Sequence, residues 1–262
     1  MRMKRKLKSF IYSILNIVSI FLPRQRAAIL LYHDVGTSDL YLSVSAENFE
    51  RQMEYLKTAG YKVVSLKMLY EMLLAMQDIN PKTVVLTFDD GYLSHHRTVL
   101  PILEKYGFHG TFFVATDSVG KNIDNSEHKP RAVLDWDGVR ALDASPMADV
   151  EPHSRSHREL PTLARDDVQK EISGSRQLIE DWLNKKCTTF AYPRGAHDAE
   201  AVEVVRAEGF PAAVTVDEGL VEKGTDPLLL PRNTINKDTT MVEFKGKLTH
   251  SARLFSLLNS AL

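Results

Sequence analysis

From residue 27 the chain repeats one unit: a short β-branched or apolar run, then a stretch with helical periodicity, then another run. The apolar runs fall at 28–33, 61–65, 83–88, 110–116, 148–152, 187–192, 212–216 and 228–231. Helical patterns occupy 46–59, 66–77, 93–106, 136–144, 165–184 and 197–208, with a last helix from about 239. Strands separated by helices do not pair as hairpins, so this order predicts parallel strands and a closed or nearly closed α/β barrel. In such barrels the chemistry sits at the C-terminal ends of the strands. His33-Asp34, Asp89-Asp90, His153, Pro193-Arg194 and Arg232 all fall at that end. A single site is the economical explanation.

The run Thr83-Val-Val-Leu-Thr-Phe-Asp-Asp-Gly91 is a buried-type strand that stops at two carboxylates and a glycine. Unpaired buried carboxylates are costly, so the pair needs a use. Adjacent residues on an extended strand point to opposite sides, which lets one aspartate hold a metal while the other stays free as a base. A solvated Asp-Gly turn is the alternative. Further on, Asp149-Val-Glu-Pro-His-Ser-Arg-Ser-His157 places His153 and His157 four residues apart, with Ser154 between them as a loop-orienting residue. Two imidazoles and one carboxylate form a three-ligand set with an open position, the arrangement of catalytic zinc. Taken alone, such a pair also describes two surface histidines.

Together, Thr87-Phe-Asp-Asp-Gly91 and His153-Ser-Arg-Ser-His157 resemble the first two motifs of the NodB-like polysaccharide deacetylases, carbohydrate esterase family four. Phe190-Ala-Tyr-Pro-Arg-Gly195 is similar to the third motif and Leu134-Asp-Trp136 to the fourth. Leu30-Leu-Tyr-His-Asp-Val35 resembles the opening of members whose catalytic histidine lies on the first strand. The likeness runs over residues 27 to 245. It implies a distorted barrel of about seven parallel strands. It also implies a hydrolase that removes an N-acetyl or other small acyl group from an amino sugar.

The chemistry of amide hydrolysis and the resemblance agree on roles. Asp90, His153 and His157 are expected to bind one divalent metal, and Asp89 to act as base beside it. His33 is the expected acid for the leaving amine, and Arg194 matches the family's backbone donor to the oxyanion. Zinc is the default ion; cobalt, nickel or manganese suit the same ligands. One departure is plain: Ala191 stands where the family often has an arginine that steadies the catalytic aspartate. Arg232 either supplies that cation from elsewhere or is a surface arginine after a proline. Arg155 is read as solvated or as a contact for an anionic group. His95 and His96 are read as solvated, and Trp136 as a sugar platform or a packing anchor. The loop at 117–135 is expected to shape the substrate groove.

Charge divides the chain. Residues 1–26 carry seven cations and no acid, which leaves 26 basic against 34 acidic residues in the 27–262 domain. That distribution disfavours nucleic acid and points to a membrane surface. The apolar segment 8–22 lacks a small-residue cleavage site and is short for a span. Its residues Ser9, Ser13, Asn16 and Ser19 share one helical stripe, which suggests an uncleaved interfacial helix at the bacterial cell envelope. A signal anchor and a core-packing helix are the other readings. The lone Cys187 excludes an internal disulfide. A non-catalytic carbohydrate-binding relative, a deformylase of lipid-linked sugars and a membrane scaffold are the competing functions.

Overall fold

The computed structural model describes residues 2–19, 26–36, 40–124 and 130–260. Helix α1 (Arg2–Val18) precedes strand β1 (Arg26–Tyr32), followed by α2 (Ala46–Thr58), β2 (Lys62–Val63), α3 (Leu66–Leu74) and β3 (Thr83–Phe88). A π-helical turn (His95–Val99) leads into α4 (Leu100–Tyr106), β4 (Gly110–Val114), the short pair β5 (Asn122–Asp124) and β6 (Pro130–Ala132), and α5 (Trp136–Asp143). Then come β7 (Ala148–Pro152), α6 (Arg165–Leu183), β8 (Thr189–Ala191), α7 (Ala199–Ala207), β9 (Ala212–Val214), β10 (Val221–Glu222), β11 (Asn233–Thr234), α8 (Met241–Lys247) and α9 (Ser251–Ser260). Side chains of Ser45, Ser65, Asp135, Asp198 and Thr240 cap the helices that follow them, so local chemistry sets most helix starts.

The main sheet runs β10-β1-β3-β4-β7, with β11 also on β1 and β2 also on β3. All these pairings are parallel except β10 with β1. β8 and β9 form a separate parallel pair. No ladder joins β7 to β8 among the described residues. Side chains stitch that seam instead: the Glu151 carboxylate accepts the Thr188 and Thr189 N–H groups at 2.9 and 3.0 Å, and His153 Nδ1 donates to the Ala191 carbonyl at 2.8 Å. Burial raises the Glu151 carboxyl to about 7.

Alternate residues of each strand serve two cores, as the strand period requires. Leu30, Leu86, Phe88, Phe112 and Val150 pack outward against Phe49, Met53, Leu103 and Ile172 of the helices. Ala27, Ile29, Val85, Phe113 and Val214 pack inward, and α3 adds Leu66, Leu69 and Leu73 to them.

Three expectations are corrected. The run 228–231 is not a strand: Leu230 makes one bridge to Val214, and Pro231 has no N–H for a ladder. The strand at this point is β11, two residues later, against β1. The polar loop 117–135 contains the antiparallel pair β5–β6. The last helix is two helices, α8 and α9.

Helix α1 packs on α8 and α9. Tyr12 is buried, stacks on Phe255 at 4.8 Å, and fills a slot where Gly246 leaves no room for a Cβ. Asn16 Nδ2 donates to the Val242 carbonyl at 3.2 Å, Ser9 meets Thr240 at 3.3 Å, and Lys8 lies 3.8 Å from Glu243. Among the described residues no helix is long and apolar enough to cross a membrane.

Candidate active site

Strand β3 delivers the aspartate pair, but the pleat does not separate it. Asp89 is still tied to the sheet through its N–H to the Tyr32 carbonyl, at 3.0 Å. Asp90 then turns left-handed at φ 74° and Gly91 at φ 68°. Both carboxylates reach His153 Nε2, Asp89 Oδ2 at 3.7 Å and Asp90 Oδ1 at 3.8 Å, and the left-handed turn that allows this is a strained conformation for an aspartate.

Asp89 is buried against Arg232, which is fully enclosed. Arg232 donates Nη1 to Oδ1 and Nη2 to Oδ2, both at 2.7 Å, and Nε to the Thr215 carbonyl at 2.7 Å. Its Nη1 also reaches Thr87 Oγ1 at 3.2 Å. Burial pushes the Asp89 carboxyl up, but the Arg232 charge, helped by His153, outweighs it and holds the group well below the usual carboxylate range. Asp90 is likewise pushed up by burial and pulled below its ordinary value, here by His157, His33 and His153.

The histidine loop follows β7. His153 is buried, and its Nδ1–H bond to Ala191 O leaves Nε2 facing the aspartates. Burial lowers this imidazole to about 4, so it is neutral and offers a lone pair. Ser154 and His157 both take φ 60°, and Ser154 Oγ accepts the His157 N–H at 3.1 Å. Beneath them Glu171 of α6 accepts the Arg155 N–H at 2.9 Å, the Ser156 N–H at 2.8 Å and the Ser156 hydroxyl. Sequence reasoning did not single out Glu171; it lies mid-helix with no local signal of its role.

Asp90, His153 and His157 converge. Their nearest donor atoms lie within 4.8 Å of one another, with His157 Nε2 at 3.3 Å from Asp90 Oδ1 and at 3.2 Å from His153 Nε2. His153 Nε2 is 3.7 Å from Asp89 Oδ2. Two imidazole nitrogens and a carboxylate oxygen facing one point fit a divalent cation of the zinc type.

A cavity of about 580 Å³ opens over this trio and is lined also by His33, Leu31, Arg194 and Val216. His33, at the end of β1, has an Nδ1 without a partner among the described residues. Its neighbour Asp34 anchors the loop, accepting from Ser94 Oγ at 2.7 Å and Ser43 Oγ at 3.2 Å. Tyr92 lines this cavity and an adjoining one of about 520 Å³ that reaches Asp34, Arg97 and Arg131.

Arg194 sits in a tight turn at φ 54°, with Gly195 pressed on the Val216 backbone. Within the turn, Tyr192 N–H goes to Val214 O, Pro193 has no N–H, and Gly195 N–H returns to Tyr192 O. The Arg194 N–H is left without an acceptor among the described contacts. Its side chain points away, 64% exposed and 3.6 Å from Glu159.

Other expected residues stand elsewhere. His95 is fully buried rather than solvated. Its Nε2 lies 3.0 Å from the His33 carbonyl, its ring packs among Phe88, Tyr92 and Phe112, and burial lowers it to about 4. Trp136 stacks on Trp182 at 5.1 Å, and Asp135 caps α5, so the Leu134-Asp-Trp136 segment is helix-start chemistry. Arg155 pairs with Asp117 at 3.2 Å, its stem lying over Gly174.

Comparison with known proteins identifies the family. A family model described as polysaccharide deacetylase matches residues 77–213, more than half of the chain. YxkH of Bacillus subtilis is 28% identical over 195 residues, 74% of this chain and 66% of that protein. The poly-beta-1,6-N-acetyl-D-glucosamine N-deacetylase of Staphylococcus aureus is 25% identical over 203 residues, 75% of this chain and 69% of that enzyme. The chain thus spans about two thirds of the length of these relatives. IcaB from Ammonifex degensii superposes with a TM-score of 0.77 at 23% identity, covering 86% of this chain and 97% of that one. Streptococcus pyogenes deacetylase PplD superposes at 0.75 with 22% identity, covering 86% and 99%. Matched by the family model across both the aspartate and the histidine motifs, the chain belongs to the polysaccharide deacetylase family.

Proposed function

We propose that this protein is a metal-dependent N-deacetylase of amino sugars in a polysaccharide or a lipid-linked saccharide. One observation carries the reading: Asp90, His153 and His157 face a common point beside an ionised Asp89, under a cavity that also holds His33. Asp90, His153 and His157 would hold the divalent ion, zinc by default. Bound there, it supplies Lewis acidity toward water and the amide carbonyl.

The chain's own groups do the rest. Asp89 takes the proton of the attacking water, oriented by the two-pronged hold of Arg232. The Arg194 N–H, in the turn at the cavity wall, receives the charge that develops on the carbonyl oxygen. His33, which lines the same cavity, gives the departing amine its proton. His153 keeps one tautomer through Ala191, and Tyr92 continues the wall into the neighbouring cavity, where further sugar units extend.

The staphylococcal relative suggests poly-β-1,6-N-acetylglucosamine as the first substrate to try. Acetate release from its oligomers, lost with a chelator and restored by a divalent metal, tests the reading; no release from any acetylated or formylated glycan contradicts it. We further propose that residues 1–26 rest on a membrane surface, consistent with a cell-envelope substrate; residues 1 and 20–25 lie outside the described residues.

A further inference from the structure

Helix α1 is docked inside out. Its buried side holds Tyr12, Leu15, Ser19 and Asn16, and its opposite side exposes Leu7, Phe10, Ile14, Ile17 and Val18. Phe10 and Ile17 are each 63% exposed. An amphipathic helix that serves only to pack on a water-soluble domain turns its apolar stripe inward. Here the inward orientation is fixed by specific contacts: Tyr12 in the Gly246 slot, Asn16 on the Val242 carbonyl and Lys8 beside the buried Glu243. The apolar row is therefore left outside by design of the interface, not by lack of a place to hide.

We infer that this row is the face by which the whole barrel sits on an anionic phospholipid bilayer, so that helix and catalytic domain meet the membrane as one body. The inference rests on the membrane reading above and makes it specific: residues Leu7, Phe10, Ile14 and Ile17 enter the lipid, while the rest of α1 belongs to the domain. Charge selects the occupant. Exposed Lys6 borders the row, Arg2, Lys4 and Arg5 precede it, and no acid occurs in the first 26 residues. Anionic headgroups complement that arrangement. A second copy of the same face would set cation against cation. The helix is too short to cross a bilayer, so the contact is superficial.

The test is flotation of the full chain with vesicles of phosphatidylcholine alone and of phosphatidylcholine mixed with phosphatidylglycerol. The parent protein binds the mixed vesicles preferentially. Phe10→Ser/Ile14→Ser/Ile17→Ser keeps the parent's melting temperature and metal content, and its vesicle binding falls at least about tenfold. Phe10→Ser alone moves binding in the same direction. If the parent floats and the triple variant floats equally well, this inference falls while the membrane reading stands. If the parent does not bind either vesicle, both fall. A lipid-free dimer that the triple substitution dissolves would assign the row to a subunit contact and overturn the proposal.

Discussion

Arg232 holds both carboxylate oxygens of Asp89 at 2.7 Å from a position 143 residues further along the chain, in a pocket that excludes solvent from both partners. The guanidinium also takes the Thr215 carbonyl and the Thr87 hydroxyl, so its plane is fixed in the barrel interior. This geometry keeps Asp89 ionised and aimed, while lowering its proton affinity.

Removing that cation leaves a buried unpaired charge. Arg232→Met is expected to cost about 3–5 kcal/mol of stability, the usual range for breaking a buried pair from one side. Activity should fall by about 100-fold or more as Asp89 loses its orientation. Thermal unfolding and turnover of the same sample check both; an unchanged melting temperature would mean the pair contributes nothing to the fold.

Glu171 bonds to none of the three proposed metal ligands but ties down the loop between His153 and His157. Glu171→Gln loses the charge that accepts the Arg155 and Ser156 N–H groups, and metal affinity is expected to weaken about 10- to 100-fold. Competition against a chelating dye measures it. Excess metal should restore most of the turnover, which a damaged catalytic group would not allow.

The buried imidazoles dictate a pH dependence. His95 and His153 are lowered to about 4, so between the ordinary histidine range and that value the unfolded chain binds more protons than the folded one. Stability of the metal-free protein should therefore fall as pH drops from the ordinary histidine pKa of about 6.5 toward 4. Glu151 offsets this in part: its carboxyl, raised to about 7, takes up one proton in the folded state over the same window, against the two histidines. The Asp89 contribution has the opposite origin but the same sign: its pKa is depressed, so it is lost only at still lower pH. Denaturant midpoints at pH 7.5, 6 and 5 check this, and His95→Asn should flatten the slope. A midpoint that rises on acidification would contradict it.

How much of this was legible in the sequence follows the range of the interactions. Strands such as Thr83–Phe88 and Ala148–Pro152, and helices such as Ala46–Thr58, carry their own periodicity and caps, and they lie where the pattern puts them. The run at 228–231 shares the apolar composition but is bounded by prolines that deny it a ladder, and the pairing moves to Asn233–Thr234. The convergence of Asp90, His153 and His157 was legible because the spacing of such donor residues is chemical. Its construction was not: Asp90 reaches the histidines through a left-handed turn that only long-range packing can hold. His95 reads as an exposed polar residue, yet the π-helical turn carries it inward onto the His33 carbonyl. The polar stripe of α1 suggested a face toward water; Ser9 and Asn16 instead turn to α8, which offers them a hydroxyl and a backbone partner, and buried Ser19 donates to the Asn16 carbonyl of its own helix.

The central claim is that two adjacent aspartates divide the work, Asp90 holding the metal and Asp89 the proton. It is tested most directly by measuring metal content together with deacetylation rate for Asp89→Asn, Asp90→Asn and His33→Ala. Asp89→Asn and His33→Ala should keep nearly a full equivalent of metal and lose about 100-fold or more in turnover. Asp90→Asn should lose metal and regain part of its rate when metal is added in excess. Rescue of Asp89→Asn by added metal, or a full equivalent of metal retained by Asp90→Asn, would show that the two carboxylates are assigned the wrong way round.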